Sequence, residues 1–250
     1  MPSGEWLEPM NPLPGSARRL VHRMSRPPSA EGSLRDHPPE SERLAVAISA
    51  QTGSGALSIA QRLAAHLQAM APSGDHPWRV FDKGLMAKVL EDHHLPTRLL
   101  QFLREDASSV VEDALEELLG LHPPSWVIVQ HSIETVLNLV RAGNVILVGW
   151  GVNVITAKLP NVFHVRLHGS LERRIARVQQ RDHLSREEAL ILITRQDRGR
   201  ERYVRRHFGQ PLSDALLYHL AINTDRFTED EVARLITTGA LNREAVQMAA

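Results

Sequence analysis

The sequence predicts an α/β fold: a doubly wound parallel sheet of about five strands with helices on both faces. Three observations lead to this prediction. From residue 43 onward, short apolar runs alternate with longer stretches of helical periodicity, which is typical of βαβ units. The first apolar run leads directly into a glycine-bearing loop and then a helical pattern. The chain has 250 residues, of which 42% are apolar, and this is ample for a packed core.

The first elements justify the prediction best. Residues 44–49 (LAVAIS) form a nearly continuous apolar run, which predicts a strand buried on both faces. The loop at residues 51–55 follows, and residues 58–70 then place apolar side chains at helical spacing. A strand, a glycine loop and a helix N-terminus in this order are what a phosphate-binding site requires.

The middle of the chain predicts two further strands separated by helices. The strands are residues 78–81 and 144–148 (NVILV), and the second ends at Gly149, Trp150 and Gly151. The helical stretches between them are residues 84–92, 96–121 and 125–141.

The remaining part predicts two strands and three helices. The strands are residues 163–167 (FHVRL) and 217–223 (LYHLAIN), and the helices are residues 170–182, 185–207 and a last one from about residue 228. Two of these helices begin with capping-box spacing, Ser185 with Glu188 and Thr228 with Glu231. In the last helix, Val232, Leu235 and Ile236 are expected to face the core.

Residues 1–42 differ from the rest in composition. They are rich in Pro, Ser, Gly and Arg and lack strand or helix periodicity, so we expect a disordered tail. Residues 16–26 could form a short basic amphipathic helix that touches a partner or lipid, but short isolated helices are marginal in water and a solvated tail is favoured. The folded domain is expected to span residues 43–240, followed by a short tail at residues 241–250.

The loop after the first strand reads AQTGSGALS over residues 50–58. Successive small residues let backbone N–H groups converge on an anion at a helix N-terminus, where the helix dipole adds attraction. The full nucleotide-binding pattern has Gly, Lys and Ser or Thr where this chain has Ala50, Ala56 and Leu57. The loop is therefore either an anion cradle without its lysine or a tight turn that lets helix and sheet pack closely.

Arginine dominates the basic residues between positions 166 and 206. One group recurs at every fourth position, Arg173, Arg177 and Arg181, and a second comprises Arg195, Arg198, Arg200, Arg202, Arg205 and Arg206. Guanidinium groups match phosphate oxygens, so a helical hairpin at about residues 170–208 could close over a nucleotide as a lid. Interleaved acidic residues keep a salt-bridged solvated helix open as an alternative. A nucleic-acid groove is a third interpretation, with only Tyr203 and Phe208 as nearby aromatic residues.

Other candidate ligand contacts lie on or just after predicted strands. Asp82 stands at the carboxyl edge where open α/β sheets bind ligands, so it could hold a substrate or hydrated magnesium, or simply cap the next helix. Trp150 could stack on a base or cover the core. His164 and His168 share a strand face, but a metal site needs a further ligand, so we predict no metal site built from protein ligands.

The composition argues against several classes of protein. The formal net charge is zero, so no overall field points to nucleic acid or a membrane surface. Cysteine is absent, which removes disulfides and thiolate catalysis, and no apolar run reaches the roughly 18 residues of a membrane span. The lysines are Lys83, Lys88 and Lys158, none of them in the loop. We expect a cytoplasmic protein without a specific nucleic acid, a membrane span or an identified protein partner, and the nucleotide partners that we also expect follow from the motifs described next.

Several short motifs follow one another in a specific order. They are the GSG loop at residues 53–55, the FDK turn at residues 81–83, the strand ending VGWG, LERRIARV with SREEA, Asp197, Arg200 and Tyr203 as D-x-x-R-x-x-Y, the closing Pro211, Leu212, Asp214 and Ala215, and INT before TEDEV. Together, from about residue 44 to residue 236, they make the chain resemble the cytidylate kinase-like family.

The resemblance implies a nucleoside monophosphate kinase fold with a phosphate-binding loop and an arginine-rich lid. It implies phosphoryl transfer from ATP, with Mg²⁺, to a nucleoside monophosphate such as CMP. The implied nucleotide-binding residues are Thr52, Gly53, Ser54, Gly55 and Ala56. The implied catalytic residues are Lys83, Arg195 and Arg200, and the implied substrate-binding residues are Asp82, Trp150 and Asp197.

The chain departs from the family pattern at cationic positions. Kinases proper carry lysine at the position of Ala56, relatives often have a basic residue at the position of Leu57, and Trp150 replaces the arginine of a common Gly-Arg-Gly. Loss of one transition-state cation typically costs a few kcal/mol, so turnover should be slow unless Lys83 or lid arginines substitute. The alternative is a catalytically weak or inactive relative that senses nucleotides or acts as a scaffold.

Overall fold

A computed structural model describes residues 43–70, 76–82, 125–149 and 151–248. Within these residues, parallel strands form one five-stranded sheet in the order β2-β3-β1-β4-β5. The strands are β1 (Ala45–Ala50), β2 (Arg79–Phe81), β3 (Val145–Val148), β4 (Val162–His168) and β5 (Leu220–Asn223). The predicted doubly wound α/β class is therefore confirmed.

Helices alternate with these strands, as the periodicity predicts. They are α1 (Ala56–Met70), α2 (Ser125–Ala142), α3 (Val152–Ile155), α4 (Leu171–Asp182), α5 (Arg186–Phe208) and α6 (Glu229–Met248), with a 3₁₀ turn at Ala215–Leu217. Ser185 and Glu188 form the predicted capping box at the start of α5. Thr228 and Glu231 cap α6 in the same reciprocal way, with backbone to side-chain distances of 2.7 and 3.3 Å.

Strand β1 lies at the centre of the sheet. Its first residue, Ala45, is in register with Val145 of β3 on one side and Val162 of β4 on the other. The chain crosses over β1 between β3 and β4, so the strand order reverses at the carboxyl end of β1. Open α/β sheets bind ligands at such a reversal, and the loop after β1 occupies this position.

Alternate side chains of β1 enter two hydrophobic cores on opposite faces of the sheet. One core joins Ile48 to residues of α1 and α6, including Ile59, Leu63 and Ile236. The other joins residues of α2, α3 and the end of α5, including Val136, Val152 and Phe208. Burying a large aliphatic side chain contributes about 1.5–3 kcal/mol, so both cores hold the loop after β1 on a rigid base.

The structure corrects three details of the prediction. Residues 217–219 do not begin the last strand, because the Asp214 side chain accepts the N–H of Leu216 at 2.9 Å and holds a 3₁₀ turn before β5. Leu235 is 44% exposed, and the buried face of α6 instead includes Ala233 and Ala240. Helix α6 also continues to Met248, past the tail boundary expected at residue 240.

Other predictions fall outside the described residues. These are the tail at residues 1–42 and the helical stretches at residues 84–92 and 96–121. Among the helices that the structure describes, none combines the length and apolarity that a bilayer crossing requires.

Candidate functional site

Two glycines shape the loop between β1 and α1. Gly53 has φ of 82° and Gly55 has φ of 85°, a region that strains any side chain. A Cβ on Gly53 would lie 2.6 Å from the backbone oxygen of Arg174, so α4 approaches the loop as closely as glycine allows. A Cβ on Gly55 would lie 3.2 Å from Glu229 Oε1 at the start of α6. The loop therefore lies between the first turn of α4 and the first turn of α6 and contacts both.

The loop folds back on itself and is fastened to β4. The N–H of Ser54 donates to the carbonyl oxygen of Gln51 at 3.1 Å, which closes a turn. The Gln51 side chain accepts the N–H of Gly169 at 3.1 Å, just beyond the end of β4. Ser54 is 1% exposed, and its Oγ has no hydrogen-bond partner among the described residues. These bonds fix the direction of the loop amides.

Asp197 of α5 contacts the loop at the amide of Thr52. The N–H of Thr52 donates to Asp197 Oδ1 at 2.8 Å, and the Thr52 hydroxyl donates to Gln196 Oε1 at 3.2 Å. Sequence analysis predicted both Thr52 and Asp197 as site residues, and the structure brings them into direct contact.

Arg174 of α4 ties Asp197 to the loop backbone. Its Nη1 donates to Asp197 Oδ2 at 2.6 Å and to the carbonyl oxygen of Thr52 at 3.2 Å, while Nε donates to the carbonyl oxygen of Gly169 at 3.1 Å. The Arg174 side chain is only 9% exposed. A nearly buried guanidinium with these bonds holds the loop, the end of β4 and α5 in one arrangement.

Arg200 supplies a second guanidinium at the same place. Its Nη1 donates to Thr52 Oγ1 at 2.9 Å and to the carbonyl oxygen of Ala50 at 3.2 Å, and lies 3.6 Å from Asp197 Oδ1. We call Thr52, Arg174, Asp197 and Arg200 the loop cluster. Its two guanidinium groups and one carboxylate give a net charge of one positive unit.

Sequence analysis missed Arg174, although the sequence carries a signal for it. Leu171, Arg174, Ile175 and Val178 follow the i, i+3, i+4, i+7 spacing of a helix face that packs inward. Ile175 and Val178 are each 1% exposed, so the arginine stands in an otherwise apolar stripe. A charged residue at such a position must find partners, and here they belong to the loop.

The predicted residue Arg195 lies apart from the loop cluster. It lines a cavity of about 690 Å³ together with Leu190, Ile191, Thr194, Arg198, Glu201 and Arg202. Positions 195 and 197 are about 200° apart around a helix, so α5 directs their side chains to different sides. Among the predicted arginines, the structure therefore places Arg200 at the loop and Arg195 at this cavity.

The other predicted residues lie at the edges of the described region. Asp82 follows β2. A hydrogen bond to Asp182 raises the pKa of Arg181 at the end of α4, and the negative charges of Asp182 and then Asp82 act in the same direction. Lys83 and Trp150 lie outside the described residues.

Ala56 and Leu57 begin α1 where the nucleotide-binding pattern has charged and hydroxyl side chains. Leu57 is 46% exposed. Directly after Leu57, the Ser58 hydroxyl donates to Glu229 Oε1 at 2.6 Å, and one turn further Arg62 Nε lies 3.6 Å from the other oxygen of that carboxylate. The end of the loop therefore faces a carboxylate of α6.

A second polar group links the start of α4 to the turn after β5. The N–H of Ser170 donates to Asp225 Oδ2 at 2.8 Å. A hydrogen bond from the Ser170 side chain, then this backbone bond and the charges of Arg177 and Arg173, hold the pKa of that carboxyl below its usual value. Arg177 also donates to the carbonyl oxygen of Thr224 at 2.9 Å. Arginines of α4 therefore contact the turn after β5 as well as the loop after β1.

Comparison with known proteins agrees with this architecture. A cytidylate kinase from Sulfolobus acidocaldarius is 34% identical over 86 residues, which are 34% of this chain and 46% of the relative. The match thus spans about half of that relative's length. The crystal structure of an uncharacterized protein from Eubacterium ventriosum ATCC 27560 has a TM-score of 0.54 at 17% identity, covering 78% of this chain and 98% of the other. This likeness shows the fold alone.

A further match covers most of the described fold, from β1 to the turn after β5. The model of the cytidylate kinase-like family matches residues 45–226, which begin with β1 and include the loop, the α4 and α5 hairpin and β5. This range covers well over half of the chain. The protein has a kinase-like nucleotide-binding fold and belongs to the cytidylate kinase-like family.

Proposed function

We propose that this protein binds ATP at the loop after β1 and transfers its γ-phosphoryl group to a nucleoside monophosphate such as CMP. In this reaction the bond between the γ-phosphorus and the β,γ-bridging oxygen breaks. A bond from the same phosphorus to an oxygen of the acceptor phosphate forms, which gives ADP and a nucleoside diphosphate. The observation that carries the proposal is the convergence of Arg174 and Arg200 on Thr52 at the strand-order reversal of a family member.

The loop offers groups that suit a phosphate. Gly53 and Gly55 allow the left-handed backbone of the loop, in which successive amides can converge on an anion. The buried Ser54 hydroxyl has no partner among the described residues, and a phosphate oxygen would satisfy it. Gly53, Ser54, Gly55 and Ala56 would therefore contact the phosphates, with Thr52 at the edge of the site.

The cations of the site come from helices rather than from the loop. Ala56 has no charge, so neutralisation of the phosphates falls to Arg200 and Arg174, which are already at the loop. Lys83 and Arg195 remain proposed catalytic residues, the first outside the described region and the second in the cavity beside α5. When bound, Mg²⁺ would neutralise phosphate charge.

The acidic side chains and histidines of the described residues show which kind of magnesium site the protein could form. No group of three or more His, Asp or Glu side chains clusters within residues 43–70, 76–82, 125–149 and 151–248. Magnesium in kinase sites keeps several waters and binds phosphate oxygens with one or two carboxylates, so a dedicated cage is not required. Asp82, proposed with Trp150 and Asp197 as a substrate contact, is the carboxylate at the sheet edge that suits this role.

A transfer assay tests the proposal. Purified protein is incubated with ATP, Mg²⁺ and a panel of nucleoside monophosphates, and the formation of ADP and nucleoside diphosphate is followed together. We expect turnover with at least one acceptor and a loss of at least tenfold in Arg200→Met. Arg205→Met is the matched control, because Arg205 is exposed on the same helix and pairs only with Glu201 among the contacts described, at 3.2 Å. No transfer to any acceptor would contradict the proposal.

A second candidate function is nucleotide binding without catalysis. Ala56 and the exposed Leu57 favour it, since both stand where relatives commonly carry a cation or a hydroxyl. Calorimetric titration with ATP, ADP and CMP separates the two functions. Binding of nucleotide by a protein that transfers no phosphoryl group would identify a sensor, whereas absence of binding would leave a scaffold.

A further inference from the structure

We propose that Asp197 is an internal competitor of the nucleotide, whose carboxylate occupies the anion position of the loop cluster and must move away before a phosphate group can bind there. The inference rests on the proposed function, because it concerns the regulation of the same loop. It gives Asp197 a role opposite to that of a substrate ligand: the side chain lowers nucleotide affinity.

The contacts of Asp197 are those of a bound anion. Oδ1 accepts the N–H of Thr52 at 2.8 Å and lies 3.6 Å from Nη1 of Arg200, and Oδ2 accepts from Nη1 of Arg174 at 2.6 Å. A backbone amide and two guanidinium groups are also the donors that a phosphate oxygen would use at this loop. A carboxylate and a phosphate cannot use the same N–H directions at once.

Neighbouring bonds keep the carboxylate in this position. Thr52 Oγ1 donates to Gln196, and Arg200 donates to the carbonyl oxygen of Ala50, so α5 is fastened to the loop on both sides of Asp197. The Asp197 side chain is 27% exposed and its partner Arg174 is 9% exposed, which weakens solvent screening of the pair. A ligand must therefore displace a partly buried and well-bonded anion.

The charge balance gives the direction of the effect. With Asp197 ionised, the two guanidinium groups of the loop cluster leave one net positive charge, and without that carboxylate they leave two. A phosphate at the loop gains attraction when the competing negative charge is removed. At an effective dielectric constant near 20, one unit charge about 6–12 Å from a phosphate corresponds to roughly 10- to 100-fold in affinity.

The variant Asp197→Asn tests the inference, since it keeps an oxygen that can accept the Thr52 N–H but removes the charge. Calorimetric titration with MgATP should show a Kd roughly 10- to 100-fold lower than that of the unmodified protein. The matched control is Glu201→Gln, which removes one negative charge from the same helix at a residue paired with Arg205 rather than with the loop. Its Kd should stay within about twofold of the unmodified protein.

The outcomes separate this inference from the proposed function. If the unmodified protein binds MgATP and Asp197→Asn binds equally or more weakly, Asp197 positions the arginines and the inference is wrong. If neither protein binds, the loop is not a nucleotide site and both proposals are wrong. Binding by the variant alone would support competition most strongly.

A measurement on the unmodified protein covers the case in which Asp197→Asn fails to fold. In the ¹H–¹⁵N spectrum, saturating MgATP should shift the Thr52 amide, and the ¹³C signal of the Asp197 carboxyl should change with it as their hydrogen bond breaks. Nucleotide binding that shifts other loop amides while both of these signals stay in place would overturn the inference.

Discussion

Replacement of Gly53 by alanine should destabilise the protein more than the same replacement at Gly55. The two glycines share almost the same backbone conformation, with φ of 82° and 85°. They differ in what a new methyl group meets. At Gly53 it would lie 2.6 Å from the backbone oxygen of Arg174, and at Gly55 it would lie 3.2 Å from the end of the Glu229 side chain. Comparison of the two alanine variants therefore separates the free-energy cost of backbone strain from that of steric contact.

The expected magnitudes follow from these two terms. Placing an alanine in the left-handed region costs about 1–2 kcal/mol at either position. At Gly55 the Glu229 carboxylate can move by a few tenths of an ångström, so little is added. At Gly53 the opposing atom belongs to the backbone of a packed helix, and such overpacking costs about 1–3 kcal/mol more. We expect Gly53→Ala to lose about 2–5 kcal/mol in total and Gly55→Ala about 1–2 kcal/mol.

Urea unfolding followed by circular dichroism measures both free energies. The m-value should be unchanged, so that a shift of the midpoint reports stability alone. Thermal unfolding gives a second measure, with about 2–4 °C for each kcal/mol in a domain of this size. Equal destabilisation by the two variants would refute the reasoning, because it would mean that the contact between loop and α4 is not tight.

Two further predictions concern buried charged and titratable groups. Arg174→Met should destabilise the fold by about 1.5–3 kcal/mol, because Asp197 loses its shortest ion pair but keeps the Thr52 N–H and the nearby Arg200, whereas Arg173→Met at an exposed position should cost less than about 0.5 kcal/mol in the same urea assay. Burial, then the charges of His219 and Arg243, lower the pKa of His164 to about 4 from 6.5. Because the pKa of His164 is lower in the folded state than in the unfolded state, the free energy of unfolding should decrease as the pH is lowered from about 6.5 to about 4, by up to about 3 kcal/mol. The variant His164→Asn should reduce that loss. A pH dependence that is the same in His164→Asn would contradict this assignment.

The fold was predictable because local and global signals agree. The apolar run of β1 predicts a strand that is buried on both faces. In the structure β1 is the central strand of the sheet, so side chains on both of its faces are buried and apolar. Capping at Ser185 and Thr228 could be read from side-chain spacing alone, since such caps involve only neighbours in sequence. Where tertiary packing decides, the prediction was only partly right: Val232 and Ile236 of α6 are buried as predicted, but Leu235 is exposed although it fits the same helical stripe. Ala233 and Ala240 join the core in its place.

The site was only partly predictable for the same reason. Asp197 and Arg200 could be named through the family resemblance, but the spacing of arginines does not reveal which of them reach the loop. Arg174 does so because the Gly53 backbone lets the first turn of α4 approach, a contact between residues far apart in sequence. Arg195 belongs to the same arginine-rich segment as Arg200, yet helical geometry directs its side chain to the cavity beside α5 rather than to the loop.

The origin of the positive charge has a consequence for how the site works. A lysine at position 56 would stay beside the phosphates whatever the neighbouring helices did, because the loop itself would carry it. Here the charge comes from Arg174 of α4 and Arg200 of α5, so it is present at Thr52 only when the hairpin of these helices lies against the loop. The same contact between hairpin and loop also brings the Asp197 carboxylate to Thr52. In the proposed function, attraction for phosphate and competition with it therefore arise together, and the affinity of the loop depends on which of the two the guanidinium groups face.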